Sequence, residues 1–181
     1  MVKKLSNLEI TQGDIFRSDM QTFAITVNCV GIMGKGIALE MKKKCNPAYE
    51  NYRNLCENGG MKMGEPVVYA DQEVLGDKQM LFFPTKFHWR NKSNLFEIKN
   101  GLKYFAEHYD ELGVESIAFP ALGCSNGGLN WNDVKPVMCE YLEDLDIEIE
   151  IYEPVNQTET NLPVNQTEKK SNSTPSKITD Y

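Results

Sequence analysis

Two strand-to-helix junctions in this chain are made of glycine rather than of bulky side chains. Thr22–Val27 is a compact, β-branched apolar run without alternation, the pattern of a strand covered on both faces and central in its sheet. It feeds Asn28-Cys29-Val30-Gly31-Ile32-Met33-Gly34-Lys35-Gly36 and then a helical pattern over 37–44. The same design recurs where the apolar run 114–119 feeds Pro120-Ala121-Leu122-Gly123-Cys124-Ser125-Asn126-Gly127-Gly128 and a helical pattern over 132–144. Bare N–H groups on such bends approach an anion closely, and each following helix aims its N-terminal dipole at the same place. The spacing is neither G-x-G-x-x-G nor a Walker A loop, so neither a Rossmann dinucleotide fold nor an NTPase is implied.

The remaining pattern supplies the rest of a sheet and its cover. A strand over 5–10 runs into the turn Thr11-Gln12-Gly13-Asp14-Ile15-Phe16, which puts Asp14 at a strand end. Strands over 66–70 and 79–83 flank a polar turn at Gly76-Asp77, and Pro84 closes the second, leaving Lys86 just past its end. Asn46-Pro47 breaks the first helix before another over 48–56, which Gly59-Gly60 ends. Asn94 with Glu97 has the form of a capping box for a helix with the stripe Leu95, Ile98, Leu102 and Phe105 and a stop at Gly113. Ile147, Ile149 and Ile151 alternate with Glu148 and Glu150, a strand with one polar face ending at Tyr152. The order β-β-α-α-β-β-α-β-α-β predicts an α/β fold, a mixed central sheet flanked by helices with ligand loops at strand ends.

Composition sets the boundaries. With 181 residues, 41% of them hydrophobic, the chain is long enough for one domain, expected over 1–154, and too short for two. Beyond Pro154 the sequence turns to Asn, Gln, Thr, Ser, Pro and Lys, with PVNQTE at 154–159 repeated at 163–168, so 155–181 is expected to be a disordered tail. A net charge of −7 argues against a broad basic face for duplex nucleic acid, although it leaves room for a local positive cleft. Cys29, Cys45, Cys56, Cys124 and Cys139 lack C-x-x-C spacing and have only His88 and His108 for company, which points to reduced thiols, no metal site and a cytoplasmic protein. No apolar run nears the ~20 residues of a membrane span, so no membrane partner is expected.

With both glycine loops, the Gly13-Asp14-Ile15 turn and the strand-end Tyr152, residues 5–154 resemble a macro domain, the three-layer α/β/α module that binds ADP-ribose. Within that fold the chain is most similar to the macro domain of bacterial DNA ADP-ribosyl glycohydrolase antitoxins. The likeness is carried by the run from Asn28 to Ala38, by Phe83-Pro84-Thr85-Lys86-Phe87-His88-Trp89-Arg90 and by Pro120-Ala121-Leu122-Gly123-Cys124. The chain departs from that pattern at Ser125, where the family shows glycine, and at Asn130, where it shows an acid. Gly127 stands where related protein-deglutamylating enzymes place an aspartate.

The resemblance implies a role for each matched position. Asp14 accepts from the adenine amino group with the Ile15 backbone beside it, and Tyr152 stacks on the adenine. Gly31, Gly34 and Gly36 of the first loop and Leu122, Gly123, Cys124, Ser125, Asn126 and Gly127 of the second clasp the diphosphate, with Lys35 as a charged neighbour. Asn28 meets the distal ribose, and Ile32 and Met33 cover it. Lys86 attacks the anomeric carbon and forms a Schiff-type adduct that later releases ADP-ribose, while His88, Trp89 and Arg90 form a rim for the modified nucleotide. The implied partners are ADP-ribose or an ADP-ribosylated substrate, single-stranded ADP-ribosylated DNA and a cognate ADP-ribosyltransferase toxin. Neither cofactor nor metal is implied, and a monomer is expected.

The residues alone leave blander readings open. Asp14 fits an Asx-type turn, Asn28 a carboxamide satisfying its own loop, Lys35 a solvent-facing cation, and Tyr152 a half-buried edge tyrosine. Trp89 fits a buried ring with Arg90 on the surface, and Lys86 a phosphate-facing or DNA-facing cation without a covalent role. As a nucleophile Lys86 must be the free amine, so its ordinary pKa of about 10.4 must be lowered by burial or by positive neighbours, for which Arg90 and His88 are the local candidates. Cys29 and Cys124 read as small apolar residues rather than nucleophiles. Two other functions fit the same motifs: a non-catalytic ADP-ribose reader, and a hydrolase of a protein ester, an acetyl ester or a terminal phosphate of ADP-ribose.

Overall fold

The computed structural model describes residues 7–155. The expected tail from residue 156 onward, and Leu5 and Ser6 of the first expected strand, lie outside the described residues. The elements are β1 (Leu8–Thr11), β2 (Thr22–Val27), α1 (Gly36–Lys44), α2 (Asn46–Glu57), β3 (Val67–Ala70) and α3 (Gln72–Leu75), then β4 (Gln79–Pro84), α4 (Leu95–His108), β5 (Ser116–Pro120), α5 (Trp131–Leu142) and β6 (Glu148–Tyr152). The strands form one 6-stranded sheet in the order β1-β6-β5-β2-β4-β3. Only the β3–β4 pairing is antiparallel, so β1, β6, β5, β2 and β4 all point their carboxyl ends the same way.

Alternation along β2 and β4 divides the apolar residues between two cores. Phe23, Ile25 and Val27 with Met80 and Phe82 face Met41 of α1 and Ala48, Tyr49 and Tyr52 of α2. Ala24, Leu81 and Phe83 face Ile98, Leu102 and Phe105 of α4 and Val134 and Met138 of α5. Helices on both faces of a mostly parallel sheet make the expected three layers. β6 is an interior strand between β1 and β5, which is why Ile149 and Ile151 are buried while Glu150 is half-buried.

Several boundaries differ from the pattern-based expectation for identifiable reasons. Pro47 does not separate two helices; it lies in the first turn of α2, where its missing N–H costs nothing. The polar turn before β4 contains α3, started by Asp71, whose carboxylate accepts from Glu73 N and Val74 N. Asn94 caps α4 by accepting from Glu97 N at 2.9 Å, but α4 ends at His108, well before Gly113. Residues 109–113 form turns in which Val114 N donates back to the Tyr109 carbonyl.

Candidate functional site

Parallel pairing delivers the carboxyl ends of β2, β4, β5 and β6 to one edge of the sheet, the place where open α/β folds bind ligands. A hollow of about 880 Å³ opens there. The first glycine loop contributes Asn28, Ile32, Gly34, Lys35 and Gly36, and the segment after β4 contributes Lys86, Trp89 and Arg90. Gly123, Cys124, Ser125, Asn126 and Gly127 of the second loop close the opposite side, with Tyr152 at the end of β6. The two bends meet across it: a Cβ on Gly36, whose φ is +55°, would lie 2.9 Å from Asn126 Nδ2.

The first loop is shaped by Asn28, which is 5% exposed. Its Oδ1 accepts from Val30 N at 3.0 Å and Ile32 N at 3.3 Å, and its Nδ2 donates to the Ile32 carbonyl at 2.6 Å. The buried Tyr52 hydroxyl on α2 lies 2.9 Å from both Oδ1 and the Asn28 carbonyl oxygen. The carboxamide therefore clasps its own loop, and a tyrosine from the helix layer braces the clasp. Tyr52 has no signal in the local pattern beyond an apolar position on α2. Burial raises the pKa of its hydroxyl, which stays protonated as a donor.

Lys86 is fixed between the two loops. Thr85 N donates to the Val27 carbonyl at 3.0 Å and Cys29 N to the Phe87 carbonyl at 2.8 Å, which ties the β4 exit to the first loop on either side of Lys86. Its Nζ donates to the Asn126 carbonyl of the second loop at 3.0 Å. Desolvation, and after it the charge of Lys35, lowers the Lys86 pKa. The neighbouring charge is thus Lys35 from the far side of the hollow, not Arg90 or His88. Cys29 and Cys124 are pushed up to about 11, both chiefly by burial, so their thiols are protonated near neutral pH.

The second loop has no space for a side chain at position 127. A Cβ on Gly127 would collide with Ser93 Oγ and with the Gly123 carbonyl oxygen, and Ser93 N donates to the Gly127 carbonyl at 3.0 Å. Ser93 Oγ is buried there without a hydrogen-bond partner among the described residues. Asn130, which replaces the family's acid, caps α5 by accepting from Asn132 N at 2.9 Å, a role Asn and Asp fill equally well.

The rim residues stack on one another. Arg90 lies 4.6 Å from the Trp89 ring centroid, and the His88 and Trp89 centroids are 5.4 Å apart at 29°. Trp89 is 45% exposed, not buried, and lines the hollow with Arg90; His88 lies outside the lining. Tyr152 donates to Glu150 Oε2 at 3.0 Å, a carboxylate that Ser18 Oγ also reaches at 2.6 Å, so its ring is held from below rather than left free at an edge.

Not every residue singled out in the sequence faces the hollow. Met33 and Leu122 are buried in the two cores, Gly31 backs onto Arg53 of α2, and Asp14 caps a 3-10 turn (Ile15–Arg17) by accepting from Phe16 N at 3.0 Å. Ile15 is buried in the α1–α2 core. Conversely Thr26, Thr85, Pro120 and Ala121 line the hollow without having been singled out, although their places at strand ends would have found them. Among the described lining residues Lys35, Lys86 and Arg90 are cationic and none is Asp or Glu, in a chain of net charge −7. Among the described residues no His, Cys, Asp and Glu cluster could hold a metal ion, and no helix is long and apolar enough to cross a membrane.

Comparison with known proteins places this geometry. The macro domain family profile matches residues 25–138. The chain is 39% identical over 171 residues to a DNA ADP-ribosyl transferase-DNA ADP-ribosyl glycohydrolase fusion protein of Thermosipho africanus, an alignment covering 86% of this chain and 44% of that protein. It therefore spans less than half the length of that curated relative. Among solved structures, the macrodomain of Thermus aquaticus DarG is 38% identical with a TM-score of 0.76, covering 81% of this chain and 98% of that one. Thermosipho africanus DarTG in complex with ADP-ribose is 39% identical with a TM-score of 0.80, covering 85% of this chain and 43% of that one.

Proposed function

Because this chain belongs to the macro domain family, we propose that its hollow binds ADP-ribose and that the chain is a DNA ADP-ribosyl glycohydrolase in which Lys86 is the nucleophile. The observation that carries the reading is a hollow enclosed by two glycine bends, without lining carboxylates, and holding one desolvated amine. The names of the relatives support it: one is a DNA ADP-ribosyl glycohydrolase fusion, and another was solved with ADP-ribose. In this reading the diphosphate lies between the first and second loops at the start of α1, where backbone N–H groups, Lys35 and the helix dipole all favour an anion. Asp14, with its second carboxylate oxygen, and the Tyr152 ring hold the adenine end.

The chemistry follows from the amine. The Lys86 Nζ lone pair attacks the anomeric carbon of the distal ribose, and the bond to the base nitrogen breaks with its electron pair leaving on the base. The proton lost from Nζ and the proton gained by the base balance through solvent. Ring opening gives an imine to Lys86, which water hydrolyses to free ADP-ribose and the regenerated amine. Trp89 and Arg90 receive the flanking nucleotide of a single strand by stacking and by phosphate contact. An ADP-ribosyltransferase toxin is the partner activity that would create this substrate, as the fused relative's name suggests.

The test is direct. Calorimetry should detect ADP-ribose binding, and incubation with a single-stranded oligonucleotide ADP-ribosylated on a base should release ADP-ribose. Lys86→Ala should abolish release while retaining binding, and borohydride added during turnover should trap an adduct on Lys86. Binding without release by the wild type would leave a reader module instead, and release by Lys86→Ala at the wild-type rate would remove the nucleophile assignment.

A further inference from the structure

Resting on that reading, we propose that this site cleaves ADP-ribose only from groups that depart as stabilised anions, a nucleobase imide nitrogen or a carboxylate, and not from serine ethers or arginine guanidines. The basis is the inventory of proton donors around the hollow. None of the described lining residues is Asp or Glu, and His88 faces away from the lining. Position 127, in the loop that meets Lys86, cannot acquire a carboxylate, because Ser93 Oγ and the Gly123 carbonyl occupy the space of its Cβ. Lys86 must give up its proton before it attacks. Arg90 does not deprotonate in a protein. Tyr152 donates its hydroxyl proton to Glu150, and the Cys124 thiol stands at about 11. Lys35 remains as a cation beside the expected diphosphate, suited to stabilising an anion rather than to proton transfer matched to neutral pH.

The bond-breaking step then has a definite requirement. When Nζ bonds to the anomeric carbon, the bond to the leaving atom breaks and both electrons go to that atom. No side chain protonates it in the transition state. An imide nitrogen spreads the charge over two carbonyls and a carboxylate over two oxygens, so each leaves unassisted and takes its proton from water afterwards. A serine alkoxide or a neutral guanidine would need the proton first, and a positioned general acid is worth roughly 10²–10⁴-fold.

The experiment presents the wild-type chain with four ADP-ribosyl conjugates, joined through a thymine-type imide nitrogen, a glutamate ester, a serine ether and an arginine guanidine. All four should compete with ADP-ribose for binding. The imide and ester should be turned over and the ether and guanidine should react at least about 100-fold more slowly, the lower bound of what a general acid supplies. The rate on the imide should rise with pH to a plateau rather than trace a bell. Serine-ether cleavage at a rate comparable to the imide, or a bell whose descending limb reports an acid, would overturn the inference while leaving the glycohydrolase reading intact. No turnover of any conjugate despite ADP-ribose binding would overturn both.

Discussion

Asn28 and Lys86 bound the same hollow, and each depends on a residue remote in sequence. The Asn28 carboxamide holds Val30 N, Ile32 N and the Ile32 carbonyl, with Tyr52 behind it. Tyr52→Phe should cost about 1 kcal/mol of stability for a lost net hydrogen bond. It should also weaken ADP-ribose binding by several-fold while leaving AMP, which does not reach the distal end, bound as before; paired calorimetric titrations check this. For Lys86 the sign of the pH effect is fixed. The attacking form is the free amine, and the Lys35 charge disfavours the ammonium, so Lys35→Gln raises the Lys86 pKa and moves the acidic limb of the single-turnover rate to higher pH. Lys35→Arg should restore the limb. Lys86 itself was legible from its motif and its place after a strand. Its charged neighbour was not, because proximity in sequence suggested Arg90 and His88 while the fold brings Lys35 across the hollow.

At the scale of elements, α4 shows how packing overrides helix propensity. Gly101 lies on the buried face of α4, where an added Cβ would come 2.5 Å from Phe83 Cζ of β4. On propensity alone Gly101→Ala would gain about 1 kcal/mol. The collision with a fully buried ring, itself edge-on to Phe119, should instead make the variant less stable by about 1–3 kcal/mol in chemical denaturation. The N-terminus of the same helix follows the local rule: Asn94→Ala should cost about 1 kcal/mol by removing the bond to Glu97 N. Caps and apolar stripes are local, so the starts and buried faces of α4 and β2 could be read directly. Helix ends could not, since α4 stops at His108 through turns that no glycine or proline marks at that residue.

For the molecule as a whole, the contrast of a −7 chain with three lining cations and no lining carboxylate makes the hollow the natural seat for an anion. ADP-ribose at a hundred times its dissociation constant should stabilise the fold by about 2.7 kcal/mol, visible as a raised Tm, and Lys86→Ala should keep most of that shift. The sequence by itself determined two strand–bend–helix units, a helix-covered mixed sheet, and the residue types at the strand ends, because periodicity, capping and glycine content are properties of neighbouring residues. Only the tertiary structure decided which strand ends meet: parallel pairing through β5, β2 and β4 sets the two bends face to face and carries Lys86 between them. It also decided that Tyr52 braces Asn28 and that Ser93 closes position 127, since those contacts join segments separated by whole elements and leave no trace in any local pattern.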